Sequence, residues 1–210
     1  MVQKIIIYDM KNLNTYIHEK LVITHYKSYS CAPDTKEKLR EIIEDRLADD
    51  PNADLNDIDV SNITDMSVLF NGLDPCNIDI SRWDVSNVEY MNGMFWGCKK
   101  FNSDLSAWNV SNVKDMYGMF EYCEKFNSDI SGWDVSNVEN MIYMFAYCES
   151  FNSDISQWDI SRVKGMSNMF RMCKKFNLDL NGWDVSKVLY MTDMFKGCDS
   201  MNELPEWYKK

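Results

Sequence analysis

Trp83, Trp108, Trp133, Trp158 and Trp183 lie 25 residues apart, and nearly every apolar position between them repeats with the same period. A unit this short cannot bury its apolar face alone and must stack on its neighbours, so a fixed period of this size predicts a solenoid. Met91, Met116, Met141, Met166 and Met191 form one column, Phe95, Phe120, Phe145, Phe170 and Phe195 a second, and Cys98, Cys123, Cys148, Cys173 and Cys198 a third. A degenerate sixth copy precedes them, with Ile58 for the Trp, Val60 and Ile63 for the valines, and Met66, Leu69 and Phe70 for Met-x-x-Met-Phe. The array therefore begins near Asp54. At its far end Met201 and Asn202 still match Phe-Asn, but Pro205 falls on the column of Ile130, Ile155 and Leu180, which places the stop at about residue 204.

Within one unit the apolar period changes. Trp133-Asp134-Val135-Ser136 alternates with a period of two, the pattern of a short strand with Trp and Val inward. Val138, Met141, Met144, Phe145 and Cys148 follow at helical spacing. Ser136 with Glu139, and Ser86 with Glu89, stand in the S-x-x-E relation of a capping box at that helix start. Phe126, Asn127, Asp129 and Ile130 read as the return, with Phe and Ile inward and Asn and Asp in tight turns. The expectation is an α/β, right-handed, leucine-rich-repeat-like solenoid of six tandem 25-residue strand-helix repeats with an N-terminal helical cap.

The boundaries follow from the repeat. Residues 1–32 are an N-terminal extension in which Lys4 to Tyr8 and Leu21 to Tyr26 read as short strands. Residues 33–53 hold the cap helix, with Asp34 and Glu37 as its capping box and Leu39, Ile42, Ile43 and Leu47 as the stripe that covers the first unit. Residues 54–204 are the solenoid and 205–210 a tail. Leu204, Trp207 and Tyr208 are expected to close the last unit.

The Ile-x-x-Trp-x-Val pattern is close to the L-x-x-L-x-L of a leucine-rich repeat with its leucines replaced. The stretches FNSDISGWDVSNVENMIYMF and FNSDISQWDISRVKGMSNMF resemble the BspA-type leucine-rich repeat family, which is also known from mycoplasma surface lipoproteins. The resemblance spans residues 54 to 204. It implies an interaction scaffold, with some relatives displayed on the cell surface as adhesins, and implies neither a substrate nor an enzyme.

Charge and composition narrow the partners. The formal net charge is -11, from 22 basic and 33 acidic residues. That excludes nucleic acid and anionic lipid as the expected partner, because binding either rests on clustered Lys and Arg. The run Ile5-Ile6-Ile7-Tyr8 is too short for a secretory leader. No stretch reaches the roughly eighteen apolar residues of a membrane helix. A cytoplasmic location is the expectation on these residues, and the resemblance keeps the cell surface as its alternative.

Catalytic chemistry has little to draw on. The only histidines are His18 and His25, so no repeat carries the usual general base, and no P-loop, G-x-G-x-x-G or H-E-x-x-H occurs. No enzyme, no cofactor and no metal are expected. The seven cysteines lack C-x-x-C spacing, and five belong to the repeat column, where packed helices about 8 to 10 Å apart lie beyond disulfide reach. They read as small apolar core groups, with Cys31 and Cys76 off the column.

Two sets of residues remain as candidate binding sites. Asp84, Asn109, Asp134, Asp159 and Asp184 face outward on the expected strands, where stacking at about 4.8 Å draws like charges into a line. Serines and backbone amides, a basic protein ligand, or a ladder of calcium-type cations are the possible compensations. The column of Asp104, Asp129, Asp154 and Asp179 reads instead as turn residues, demanded once per unit by the backbone. The second candidate set, Tyr117, Tyr122, Tyr143 and Tyr147, occupies columns filled elsewhere by polar or small residues, as do Tyr90, Trp96 and Tyr190. Such aromatics form either a contact patch or a cover over the gaps between helices. The functional expectation is a non-enzymatic protein-protein interaction module, with a structural or self-associating repeat protein, or a surface adhesin lacking its leader, as the alternatives.

Overall fold

In the computed structural model the described residues are 29–73 and 78–209. The expected strands at Lys4 to Tyr8 and Leu21 to Tyr26, both histidines and Cys76 lie outside them. Among the described residues one α-helix forms, α1, Lys36–Asp49. Its N-cap is Thr35, whose hydroxyl accepts from the Lys38 amide at 3.3 Å, so the capping position falls one residue after the expected Asp34. Asp34 instead pairs with Lys38 at 2.7 Å. The expected stripe is in place: Leu39 and Ile43 are fully buried, and Ile42 and Leu47 pack against the core from its margin.

Among the described residues the repeat units contain isolated bridges and turns rather than the expected strands and helices. Parallel bridges join Asp65 to Tyr90, Tyr90 to Asp115, Asp115 to Asn140, Asn140 to Gly165 and Gly165 to Tyr190. Each links equivalent residues of neighbouring units, and no bridge falls within Trp133–Ser136. From Val138 to Cys148 the backbone makes tight turns. Met144 donates to the Met141 carbonyl and Cys148 to that of Phe145, both across three residues rather than the four of an α-helix. The third residue of each turn, Tyr143 and Tyr147, has φ of 58° and 62°, the left-handed value that a type II turn demands there and a right-handed helix forbids.

The amides left over leave the unit. Met116, Gly118, Phe120 and Tyr122 donate at 2.8 to 2.9 Å to the carbonyls of Asn140, Ile142, Met144 and Ala146 in the next unit. Along this side every second N–H points toward the following unit, and the carbonyls that receive them point back. A burial rhythm of three and four arises here because each turn brings the chain back to the core after that many residues. The buried set is therefore the one expected of a helix: Val138, Met141, Met144, Phe145 and Cys148 have no exposed surface.

The core is a line of identical contacts. Phe70, Phe95, Phe120, Phe145, Phe170 and Phe195 stack with centroids 5.2 to 5.8 Å apart. Trp108, Trp133 and Trp158 stack at 6.4 to 6.5 Å. Each indole N–H also reaches back, Trp133 Nε1 to the Leu105 carbonyl at 3.0 Å and Trp158 Nε1 to that of Ile130 at 3.2 Å. The cysteines repeat the device with sulfur: Cys148 Sγ donates to the Phe120 carbonyl and Cys173 Sγ to that of Phe145, both at 2.9 Å. Burial pushes both thiols well above the ordinary cysteine value, which keeps them protonated donors.

The two ends differ. At the first unit Arg40 of α1 donates to the carbonyls of Leu69 at 2.6 Å and Asn71 at 2.9 Å, which have no preceding unit to receive from. At the last unit Trp207 stacks on Trp183 at 6.4 Å and donates to the Leu180 carbonyl, while Tyr208 meets Phe195 edge-on at 5.0 Å. Leu204, expected in this closure, is exposed. The amides of Met191, Asp193, Phe195 and Gly197, equivalent to the donors of earlier units, find no acceptor among the described residues.

Candidate functional site

The first candidate set is spent on the backbone. Asp84, Asn109, Asp134, Asp159 and Asp184 each accept through Oδ1 from the amide two residues on, that of Ser86, Ser111, Ser136, Ser161 and Ser186, at 3.0 to 3.1 Å. This is the Asx turn, in which a short side chain stands in for a turn carbonyl. Ser136 is therefore the donor of a turn rather than the cap of a helix. The hydroxyl and amide of Ser161 hold Asp159 below the usual carboxylate range, an effect larger than the opposing charge of Asp184. Asp184 is lowered likewise, first by the Ser186 amide. Asn109 makes the same contact with no charge, so the column requires an acceptor and not an anion.

The return column behaves in the same way. Asp104, Asp129, Asp154 and Asp179 accept from the amides of Ser106, Ser131, Ser156 and Asn181 at 2.9 to 3.0 Å. A third Asx column had no signal in the apolar pattern: Asp65, Asp115 and Asn140 accept from Ser67, Tyr117 and Ile142 at 2.7, 2.9 and 3.2 Å. Among the described residues no group of three or more His, Cys, Asp or Glu is placed to hold a metal ion.

The tyrosines have no such duty. Tyr122 and Tyr147 stack at 4.4 Å with an interplanar angle of 8°, and Tyr117 meets Tyr143 at 5.8 Å and 63°. The structure thus joins the four as two pairs on successive units. They do not cover helix gaps, since the units have no helices. Trp96, Tyr117 and Tyr122 leave 46, 42 and 37 % of their surface open, while Tyr143 and Tyr147 are half-buried.

Two charged residues that the sequence columns did not single out complete this face. Arg171 donates from Nε to the Tyr147 hydroxyl at 3.4 Å and pairs with Asp193 at 3.0 Å. Glu121 lies on the unit after Trp96, and the Gly97 amide bonds its carbonyl at 2.8 Å. Its carboxylate lies over Gly118, where a Cβ would come within 3.3 Å of Oε2. Burial raises Glu121 above the ordinary glutamate value. Burial, and next the Glu121 charge, pushes Tyr117 up as well. The signal for both residues was their column, Asn71, Trp96, Glu121, Ala146, Arg171 and Lys196, in which the fold demands no residue type.

A family described as "Mycoplasma protein of unknown function, DUF285" matches residues 38–150 and 115–208. Neither the curated proteins nor the solved structures give a match. No helix among the described residues is long and apolar enough to cross a membrane.

Proposed function

The chain belongs to the DUF285 family of Mycoplasma proteins of unknown function, and from that premise we propose that it is a non-enzymatic protein-protein interaction module. In this reading the units wind as a right-handed solenoid of the BspA-type, leucine-rich-repeat-like kind, with turns in place of its helices, and the exposed aromatic face binds a protein partner. The observation that carries it is a division of labour. The aspartate columns serve the backbone with their side chains, whereas Trp96 and Tyr117 stand in columns that take any residue type, and Tyr122, Tyr143 and Tyr147 stand at left-handed turn positions where glycine serves in other units. Exposed Tyr and Trp in such number are what binding hot spots are made of. A cytoplasmic location belongs to the same reading, with display on the cell surface as its alternative.

The experiment is affinity capture with the immobilised chain and two variants. Loss of the captured partner with Y117S/Y122S and its retention with D134N supports the reading. Loss with D134N alone moves the site to the aspartates. A second reading, self-association, is favoured by Leu189 and Tyr190, which expose 69 and 61 % of their surface on the last unit. Scattering mass across a hundredfold concentration range separates the two: a rising mass supports association, a constant one the heterologous partner.

A further inference from the structure

The aromatic face is asymmetric in charge. On one side Tyr147 has a cation: the Arg171 guanidinium bonds its hydroxyl and is itself anchored by Asp193. On the other side Glu121 lies near enough to Tyr117 and Tyr122 for its charge to act on both phenols, Trp96 holds the same column position on the preceding unit, and no ion pair to the Glu121 carboxylate is found among the described residues. A half-buried carboxylate with no cation is costly to hold, and the column imposes no Glu, since Asn71, Trp96, Ala146, Arg171 and Lys196 occupy it elsewhere. Gly118 leaves the room in which the carboxylate lies.

We propose that Trp96, Tyr117, Tyr122 and Glu121 form a seat for an arginine side chain presented by a protein partner. This rests on the proposed binding function and names the chemistry of the partner. A guanidinium fits on two counts: its flat face stacks on aromatic rings, and its fork of N–H donors pairs with a carboxylate. Two units along, Arg171 shows a guanidinium held on this face by a carboxylate and a tyrosine hydroxyl, Asp193 and Tyr147. The chain's excess of acidic residues steers a cationic segment toward it.

The test is titration of the isotopically labelled full chain with a short Gly-Ser peptide carrying one arginine, and with the same peptide carrying neutral citrulline, following the Trp96 indole and Gly118 amide signals. The expected result is saturable shifts with the arginine peptide and about tenfold weaker binding both for citrulline and for E121Q. D154N, which removes one negative charge elsewhere, should change the affinity less than about twofold. Equal binding of the two peptides, or equal losses in E121Q and D154N, overturns the seat, because the contact is then simple stacking or general acidic attraction. If the seat fails while partner capture still depends on Tyr117 and Tyr122, the interaction module stands without it. If capture is indifferent to those tyrosines, the module reading fails on its own.

Discussion

The first and last units carry the same core and meet opposite problems. Because the amides of Met116, Gly118, Phe120 and Tyr122 all point toward the following unit, this side of the array has an acceptor end and a donor end. The acceptor end is closed by one side chain: Arg40 supplies both Leu69 and Asn71 from a helix held down by Leu39 and Ile43. Its planar fork suits two carbonyls two residues apart. The donor end is closed only over its rings, by Trp207 and Tyr208, and leaves Met191, Asp193, Phe195 and Gly197 without acceptors among the described residues. Stacking rings require only a flat apolar cover. A row of parallel peptide dipoles requires a cap of the right sign, so this side of the array, whose bonds all run one way, needs different chemistry at each end, while the amides of Lys114, Glu139 and Lys164 elsewhere in the units donate the opposite way.

Hydrogen exchange should show the largest effect. The amides of Met141, Tyr143, Phe145 and Tyr147 are expected to exchange about a thousandfold or more slowly than those of Met191, Asp193, Phe195 and Gly197. Equal protection would mean that something covers the donor end. W133A removes a ring stacked on both sides and should cost about 3 to 5 kcal/mol in denaturant melts. W207A, stacked on one neighbouring tryptophan and only half-buried, should cost less than half as much. Similar losses would show that the end is as cooperative as the middle.

At the acceptor end R40A should cost about 2 kcal/mol, the scale of hydrogen bonds from a charged group. R40K should recover less than half, because an ammonium lacks the fork. Full recovery would reduce Arg40 to a point charge. Smaller still is Y122A, expected to cost less than about 1 kcal/mol at an exposed ring. A loss comparable to W133A would place that face in the core.

The Asx columns give a pH prediction on which both ends and the middle should agree. The Ser131 hydroxyl and amide hold Asp129 below the usual carboxylate range. A depressed folded value means that its contribution is present above the unfolded value of about 3.9 and is lost as the pH falls through the folded one. D129N should melt like the parent at neutral pH, as Asn109 does the same duty, and show a shallower loss of melting temperature below about pH 4. An unchanged acid limb would mean that the turn bond carries no net charge preference.

The spacing of apolar residues in a unit predicts burial and not backbone conformation. Val138, Met141, Met144, Phe145 and Cys148 were legible as one buried stripe, and the helix inferred from them was not there. A contrary signal was present. Gly72, Gly97 and Gly197 share one column, and Gly93 and Gly118 share another, four residues earlier in the unit. These are the positions of positive φ, where Tyr143 and Tyr147 also stand. Glycine recurring at two fixed positions in a presumed helix marks left-handed turns. For the cap helix, stripe and backbone agreed, because its amides have partners within the helix itself.

The sequence by itself determined the 25-residue register, the inward residues and the turn duty of the Asp104, Asp129, Asp154 and Asp179 column, since each is a rule imposed again from unit to unit. Only the tertiary structure decided where the backbone amides go, which way they point, and that Arg40 meets one end of the row. It also brought Trp96, Tyr117, Tyr122 and Glu121 to one face. Tyr117, Glu121 and Tyr122 share one unit, but Trp96 comes from the unit before it, in the column of Glu121; no residue type recurs along that column to announce the pair, and stacking of the units is what places the indole next to the carboxylate's unit.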